Sequence, residues 1–351
     1  MSKPSFKLLD LWARDEKYNL YRIPGMLVTN KGTLLVYCEA RKYDDSPNND
    51  WSIMDVLMQR SVDHGNTFSS PVLLAEGTEE RRTVNNPVMV QDKNGRIHFL
   101  YCEDYGTGGG RILRRFSDDD GLTWSEPIDI TKFTMPEFRN AFALGPGHGI
   151  VTNDNVLVFP IWMVPKHYNT YERAHQPAVL STFYSKDNGE TWEVGELLES
   201  KRDVISPNET EITLASDGQV YLNARHLAHY RVKAYSKTGY SHWTDYGADY
   251  NLPCPRCFGS VASYNDGEKP YTILFAGCAN NATRTEVTVY ASTDDGKTFA
   301  NSRLIDFERG GYTELAVDND AKLIYVLYEN LGGETDHLAT FNYEWILGED
   351  A

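Results

Sequence analysis

An eight-residue pattern recurs four times in this chain: Ser-x-Asp-x-Gly-x-Thr followed by an aromatic residue. The four copies, called octets below, begin at Ser61, Ser117, Ser185 and Ser292. The last interval is nearly twice as long as the others, and a degenerate copy that keeps the Ser and the final Trp begins inside it at Ser236. Recurrence at a regular period indicates that one supersecondary unit is copied along the chain.

Each octet follows a short alternating run, such as DVLMQR or RILRRF, that predicts a half-buried strand. Asp and Gly favour a tight turn, and the Ser, Thr and Asp side chains can accept hydrogen bonds from nearby backbone N–H groups. Units of about 50 to 60 residues built from short strands are typical of a β-propeller. We therefore predict an all-β fold, a six-bladed β-propeller formed by residues 1–351 as a single domain. An N-terminal strand is expected to close the sixth blade.

An active site is built once, so the repeated aspartates are assigned a structural role and chemistry is sought in unrepeated residues. The stretch YRIPGM, residues 21–26, is one such place. The residue before a proline favours an extended backbone, and glycine permits conformations closed to other residues. We expect Arg22 to lie at the entry to a stiff turn that fixes its direction.

The bulk composition excludes several classes of function. A formal net charge of -16 argues against binding to duplex nucleic acid or to an anionic membrane surface. The chain has no apolar run long enough to span a membrane, and its first twelve residues lack the features of a signal peptide. We expect a cytoplasmic protein, or a secreted or periplasmic one if a leader has been removed.

Two short motifs with metal-binding residue types are discounted. CPRC (Cys254–Cys257) has no second cysteine pair, and HLAH (His226–His229) has neither helical context nor a third ligand. Five cysteines, an odd and small number, suit a reducing compartment. No metal and no cofactor are predicted.

The octets, also known as Asp boxes, together with YRIP resemble the sialidases (exo-α-neuraminidases) of the bacterial and animal type. The resemblance runs over nearly the whole chain. Its further motifs, in order, are EAR (Glu39–Arg41), GPGHGI (Gly145–Ile150), NE (Asn208–Glu209), CFGS (Cys257–Ser260), GGYTEL (Gly310–Leu315) and LYE (Leu327–Glu329).

By this resemblance, Arg22, Arg225 and Arg284 hold the substrate carboxylate, which guanidinium groups bind through charge-assisted hydrogen bonds of fixed geometry. The resemblance implies that Tyr312 is the nucleophile and Glu209 its base. A tyrosine with a pKa of about 10 is mostly neutral at pH 7 and needs a carboxylate to accept its proton. Glu211 is the alternative base, and the family spacing to Arg225 favours Glu209.

The acid/base residue is expected in the loop after EAR. The resemblance favours Asp50, which lies five residues before Asp55 as in the family; Asp44 and Asp45 are the alternatives. It also places Arg41 near the carboxylate end of the sugar. Glu329 is expected to orient Arg22, since a carboxylate behind an arginine fixes its rotamer.

The resemblance implies a retaining exo-α-sialidase that hydrolyses terminal α-linked sialic acid, with sialylated glycans as substrates. Two alternatives remain. One is a trans-sialidase, or a hydrolase of a related acid such as the deaminated sugar. The other is a non-catalytic propeller that binds glycans or proteins. Oligomeric state is not indicated.

Overall fold

The structure is a computed structural model, and it describes residues 3–44, 49–104, 110–166 and 175–348. The described ranges are built of β-strands joined by turns and contain a single short α-helix, α1 (Tyr343–Leu347). The all-β prediction is confirmed. None of the helices in these ranges has the length and apolar character needed to cross a membrane.

In chain order the strands are β1 (Phe6–Ala13), β2 (Tyr18–Val28), β3 (Leu34–Lys42), β4 (Met54–Ser61), β5 (Val72–Ala75), β6 (Val84–Gln91), β7 (Ile97–Glu103), β8 (Arg111–Ser117), β9 (Ile128–Asp129), β10 (Ala141–Leu144), β11 (Gly147–His148), β12 (Ile150–Val151), β13 (Leu157–Val164), β14 (Val179–Ser185), β15 (Glu193–Val194), β16 (Thr210–Leu214), β17 (Val220–Ala224), β18 (Tyr230–Ser236), β19 (Thr244–Pro253), β20 (Ser260–Tyr264), β21 (Thr272–Cys278), β22 (Thr285–Ser292), β23 (Asn301–Asp318), β24 (Leu323–Asn330) and β25 (Thr335–Phe341). Short 3-10 turns span Asn49–Trp51, Thr131–Phe133 and Pro136–Phe138.

These strands form five hydrogen-bonded sheets. Their orders are β2-β3-β4-β5, β11-β6-β7-β8-β9, β10-β13-β14-β15 with β12 beside β13, β16-β17-β18-β19, and β1-β25-β24-β23-β22-β21-β20. The last sheet contains the first and the last strands of the chain, since β1 pairs antiparallel with β25. Its longest strand, β23, pairs with β22 through its first half and with β24 through its second half.

The octets form the same turn four times. In the copy at Ser117, the Gly121 N–H donates to Ser117 Oγ (2.9 Å), and Asp119 accepts from the Thr123 N–H (2.8 Å) and hydroxyl (2.6 Å). The residue before each octet glycine also has a positive φ, 66° at Asp120. This explains why His, Asp or Asn occupies that position, because these residues tolerate the left-handed region better than most.

The degenerate copy at Ser236 makes a related turn with different residues. The Gly239 N–H donates to Ser236 Oγ (2.9 Å), and Thr238 stands where the other copies have aspartate. The glycine comes one residue earlier than in the octets. The Ser-to-glycine contact therefore persists where the Asp-to-Thr contacts are lost.

The strands before the octets are more deeply buried than the alternating pattern predicted. All seven residues of β14 are buried, as are six of the eight residues of β4. The half-buried prediction was wrong for β4 and β14 because their sheets pack against neighbouring sheets. One apolar cluster joins β2–β4 to β6–β8, and another joins β2–β4 to β24 and β25.

Candidate active site

The YRIPGM stretch forms a β-bulge in β2. The register of β2 on β3 shifts between Arg22 and Gly25, and Ile23 has a φ of 57°. The expectation of an extended residue before Pro24 was wrong: Ile23 adopts the left-handed region. Gly25 is required because a side chain there would overlap the ring of Tyr37. The bulge frees the Ile23 N–H from the strand ladder for another partner.

That partner is Glu329, on the neighbouring strand β24. Its Oε1 accepts from Arg22 Nε (2.6 Å) and from the Ile23 N–H (3.0 Å), and its Oε2 accepts from the Tyr312 N–H (3.0 Å). Glu329 is fully buried, and burial alone would raise the pKa of its carboxyl. The charge and hydrogen bond of Arg22 outweigh burial and lower that pKa. One carboxylate thus fixes both Arg22 and the backbone of Tyr312.

Tyr312 lies on β23, and its hydroxyl has two partners. It donates a short hydrogen bond to Glu209 Oε1 and accepts one from Arg225 Nη1 (2.8 Å). Arg225 and Glu209 are also joined by an ion pair and by a backbone hydrogen bond from the Arg225 N–H to the Glu209 carbonyl, because they face each other just beyond β17 and β16. The phenol, the carboxylate and one guanidinium therefore form a single hydrogen-bonded group.

The other two arginines of the predicted clamp approach the Tyr312 ring. The guanidinium carbons of Arg22 and Arg284 each lie 5.4 Å from the ring centroid. Arg284 Nη2 donates to the Arg256 carbonyl (3.0 Å). Three guanidinium groups from distant parts of the chain thus contact one buried phenol.

Asp50 lies on a 3-10 turn at the edge of the same space, with 42% of its side chain exposed. Its Oδ1 accepts from Arg41 Nη1 (2.8 Å). Arg41 is buried and also binds Glu39 Oε2 through Nε (3.1 Å) and Nη2 (2.7 Å). Arg41 therefore bridges a buried carboxylate and an accessible one.

The pKa values of Tyr312 and Asp50 shift in opposite directions. Burial, assisted by the charge of Glu209, raises the pKa of Tyr312 well above its usual range, against the opposing charges of Arg225 and Arg284. Burial would also raise the pKa of Asp50, but the Arg41 charge and hydrogen bond and the Arg22 charge lower it. At neutral pH the cavity thus holds a protonated phenol and an ionised aspartate.

The alternative residues occupy other places. Asp44 Oδ2 accepts from the Ile53 N–H (2.8 Å) and from Arg82 Nη2 (2.7 Å), and Asp44 is not part of the cavity wall. Asp45 lies outside the described residues. Glu211 is fully buried beside His148 and does not line the cavity either.

One cavity of about 200 Å³ collects the predicted residues Arg22, Arg41, Asp50, Glu209, Arg225, Arg284 and Tyr312. Glu329 lies behind this wall. Sequence reasoning missed several lining side chains, namely Glu39, Asn85, Asn86, Trp162, His175 and Asn208. Glu39 and Asn208 belong to the EAR and NE motifs and were within reach of that reasoning. Asn85, Asn86, Trp162 and His175 belong to no repeat or motif, so only the fold brings them to the cavity.

Comparisons with known proteins identify the family of this chain. The profile of the BNR repeat-like domain family matches residues 32–326. The chain is 28% identical to an exo-alpha-sialidase of Arthroderma benhamiae, over 94% of this chain and 85% of the fungal protein. It is 27% identical to a sialidase of Bacteroides fragilis, over 91% of this chain and 61% of the bacterial one.

Among solved structures, a Hadza microbial sialidase superimposes with a TM-score of 0.83 at 25% identity, covering 95% of this chain and 68% of that one. The chain thus spans most of the fungal relative and about three fifths of the Bacteroides protein. The predicted resemblance is confirmed. The chain belongs to the BNR-repeat family and, within it, to the exo-α-sialidase group of glycoside hydrolases.

Proposed function

We propose that this chain is a retaining exo-α-sialidase that removes terminal α-linked sialic acid from sialylated glycans through a tyrosine nucleophile. One observation carries the proposal: the Tyr312 hydroxyl is hydrogen-bonded to Glu209 inside a cavity that also holds three convergent arginines. The arginines suit an anionic ligand. The phenol and its carboxylate partner suit covalent catalysis.

Arg22, Arg225 and Arg284 bind the carboxylate of the sugar. A net charge of -16 does not oppose this, because three guanidinium groups in a narrow cavity produce a local positive field. Glu329 holds Arg22 in place before substrate arrives, which lowers the ordering cost of binding. Arg41, which lines the same cavity and donates to Asp50, is assigned a place near the carboxylate end of the sugar.

In the first step the Tyr312 oxygen attacks C2 of the sugar while Glu209 accepts the phenolic proton. The bond from C2 to the glycosidic oxygen breaks, and Asp50 protonates that oxygen as it leaves. In the second step water attacks C2, Asp50 accepts a proton from the water, and Tyr312 departs and recovers its proton from Glu209. A neutral nucleophile is suited to a substrate that carries its own carboxylate beside the reacting carbon.

Asp50 must be protonated for the first step, although its pKa is lowered in the free protein. We expect substrate to change this, because a bound carboxylate offsets the positive charge of Arg22 and Arg41 that now stabilises the ionised form. Binding of the anion thereby favours uptake of the catalytic proton.

For the scaffold, we propose a six-bladed propeller formed by residues 1–351 as one catalytic domain. The two pairing halves of β23 support counting the largest sheet as two blades, the second of them completed by β1. Packing of β24 and β25 on the sheet of β2 supports closure of the ring.

A fluorogenic α-sialoside tests the proposal. Wild type is expected to release the fluorophore, and Tyr312→Phe to lower kcat by at least about 1,000-fold with an unchanged circular dichroism spectrum. A fluorinated sialosyl fluoride should trap the sugar on Tyr312, read by peptide mass spectrometry. No turnover by wild type, or a label on another residue, would contradict the mechanism. Sialyl transfer to added lactose would indicate the trans-sialidase alternative.

A further inference from the structure

A second group of ionisable side chains lies outside the lining of the active-site cavity. It consists of His148 on β11, Glu211 on β16 and Glu314 on β23, which come from three different sheets. The contact from His148 Nδ1 to Glu314 Oε1 is 2.7 Å, and the contact to Glu211 Oε1 is 3.6 Å. The backbone N–H of His148 also donates to Glu211 Oε1 (3.0 Å). We call these three residues the axial cluster.

The axial cluster is directly linked to the proposed catalytic pair. Glu211 follows Glu209 by two residues, and Glu314 follows Tyr312 by two residues. Glu209 directly precedes β16, which carries Glu211, and Tyr312 lies on β23 two residues before Glu314. Contacts within the axial cluster therefore also position β23, which carries Tyr312, and the start of β16, next to Glu209.

The charge of the axial cluster is unbalanced. Both glutamates are fully buried, and across the described ranges neither of them forms an ion pair with a lysine or an arginine. Two adjacent buried carboxylates beside one imidazole are costly unless a further positive charge joins them.

Two oxygen atoms in the axial cluster also lack a donor. Glu211 Oε2 and Glu314 Oε2 are buried and accept no hydrogen bond from the described residues. Both point to one place: a Cβ built on Gly147 would lie 2.3 Å from the first and 2.5 Å from the second. Because Gly147, with a φ of 99°, has no side chain, both oxygens can converge beside it.

We propose that the axial cluster is a binding site for a divalent transition-metal ion, with Zn²⁺ as the preferred ion. Imidazole nitrogen and carboxylate oxygen are both ligand types that zinc accepts, whereas calcium and magnesium prefer oxygen alone. The ligand atoms lie within 4.8 Å of one another. An ion held by these three atoms would lie about 2.0–2.2 Å from each, so the carboxylates would rotate toward it on binding.

His148, with 13% of its side chain exposed, is the ligand nearest solvent and marks the route of entry. The ion would tie β11, β16 and β23 together and neutralise the two carboxylates. It takes no part in the sialidase chemistry, so this proposal stands or falls independently of the proposed function.

The test measures metal binding by the full chain without a histidine tag. After treatment with a chelator and its removal, wild type is expected to bind about one Zn²⁺ per chain by calorimetry and elemental analysis, and to melt at a higher temperature when Zn²⁺ is present. Glu314→Gln and His148→Gln should weaken binding by at least about 100-fold, since each removes a direct ligand. The exposed Glu79→Gln is the matched control and should bind as wild type does.

A competing arrangement holds a proton between the two carboxyls instead of a metal. Melting temperatures distinguish the zinc-bound arrangement from the shared-proton one. Glu314→Gln relieves the repulsion between the two carboxylates in both arrangements. It abolishes the zinc-dependent rise in melting temperature only if zinc binds at the axial cluster. A crystal of wild type soaked in Zn²⁺ gives a second measurement that needs no variant, and an anomalous peak is expected among the three side chains. Failure of wild type to bind Zn²⁺, equal binding by Glu314→Gln, preference for Ca²⁺, or a peak elsewhere would overturn the proposal.

Discussion

The octet turns and the active-site cavity use carboxylates in opposite ways. Asp119 in an octet bonds to residues two and four positions away, on a partly exposed turn. Glu209 and Glu329 bond to residues 103 and 307 positions away in the interior. An octet can therefore form from its own sequence, whereas the cavity forms only when distant sheets have assembled. Changes in the cavity should affect catalysis and global stability strongly, and changes in an octet should affect stability alone.

Beyond the loss expected for Tyr312→Phe, the largest effect in this comparison concerns the arginine clamp. Arg284→Gln removes one guanidinium from the cavity, and we expect kcat/KM on a sialoside to fall by about 100-fold to 1,000-fold, the loss of a charge-assisted contact to a buried anion. The side chain is partly exposed, so the variant is expected to fold.

Arg96→Gln is the matched control for Arg284→Gln, because Arg96 pairs with Asp118 at the surface beside an octet. Its kcat/KM should equal that of wild type. If Arg284→Gln retained full activity, the arginine would not contact substrate and the clamp would be wrong.

The second prediction concerns the carboxylate behind the clamp. Glu329→Gln leaves Arg22 buried without its counter-charge, and we expect the free energy of unfolding to drop by about 2 to 4 kcal/mol, measured by denaturant titration. The pair Glu334 and Arg14 is exposed, so Glu334→Gln should change stability by less than about 1 kcal/mol. Equal effects in the two variants would remove the distinction between buried and exposed pairs.

The difference between local and long-range contacts also explains which features the sequence could predict. The octets are local, so their spacing alone indicated an all-β repeat and their residues identified the turn. Arg22 and Tyr312 were assigned from family motifs. Their contact depends on pairing between β23 and β24 and on a bulge in β2 that the YRIPGM sequence does not predict. The positive φ of Ile23 ran against the usual preference before proline.

The cavity residues that were missed have the same explanation. Trp162 and His175 lie in no motif, and they reach the cavity because β13 and the segment before β14 fold beside it. Glu211 and Glu314 were visible as acidic residues near the predicted catalytic ones, but their contact with His148 depends on three separate sheets. A single sequence carries no signal for contacts of this kind.

The smallest expected effect concerns an octet. Asp119→Ala removes hydrogen bonds to the backbone and hydroxyl of Thr123, and we expect about 1 to 2 kcal/mol of lost stability with unchanged kcat/KM. The neighbouring Asp118→Ala is the control: Asp118 is exposed, takes no part in the turn, and should cost less than about 1 kcal/mol. A loss of activity in Asp119→Ala at an unchanged melting temperature would mean that the octets are not purely structural.

The pH dependence of unfolding sharpens this last test. Hydrogen bonds from Thr123 lower the pKa of Asp119 to about 2 from its ordinary value of 3.8. A carboxyl whose pKa is lower in the folded state adds stability that is complete above the unfolded value and is lost as the pH falls. The contribution of Asp119 should therefore disappear between pH 3.8 and about 2. Denaturant titrations across that interval should give a flatter stability profile for Asp119→Asn than for wild type. Parallel profiles would show that this carboxylate stabilises nothing, and the octet turn would then rest on its serine and glycine, as it does at Ser236.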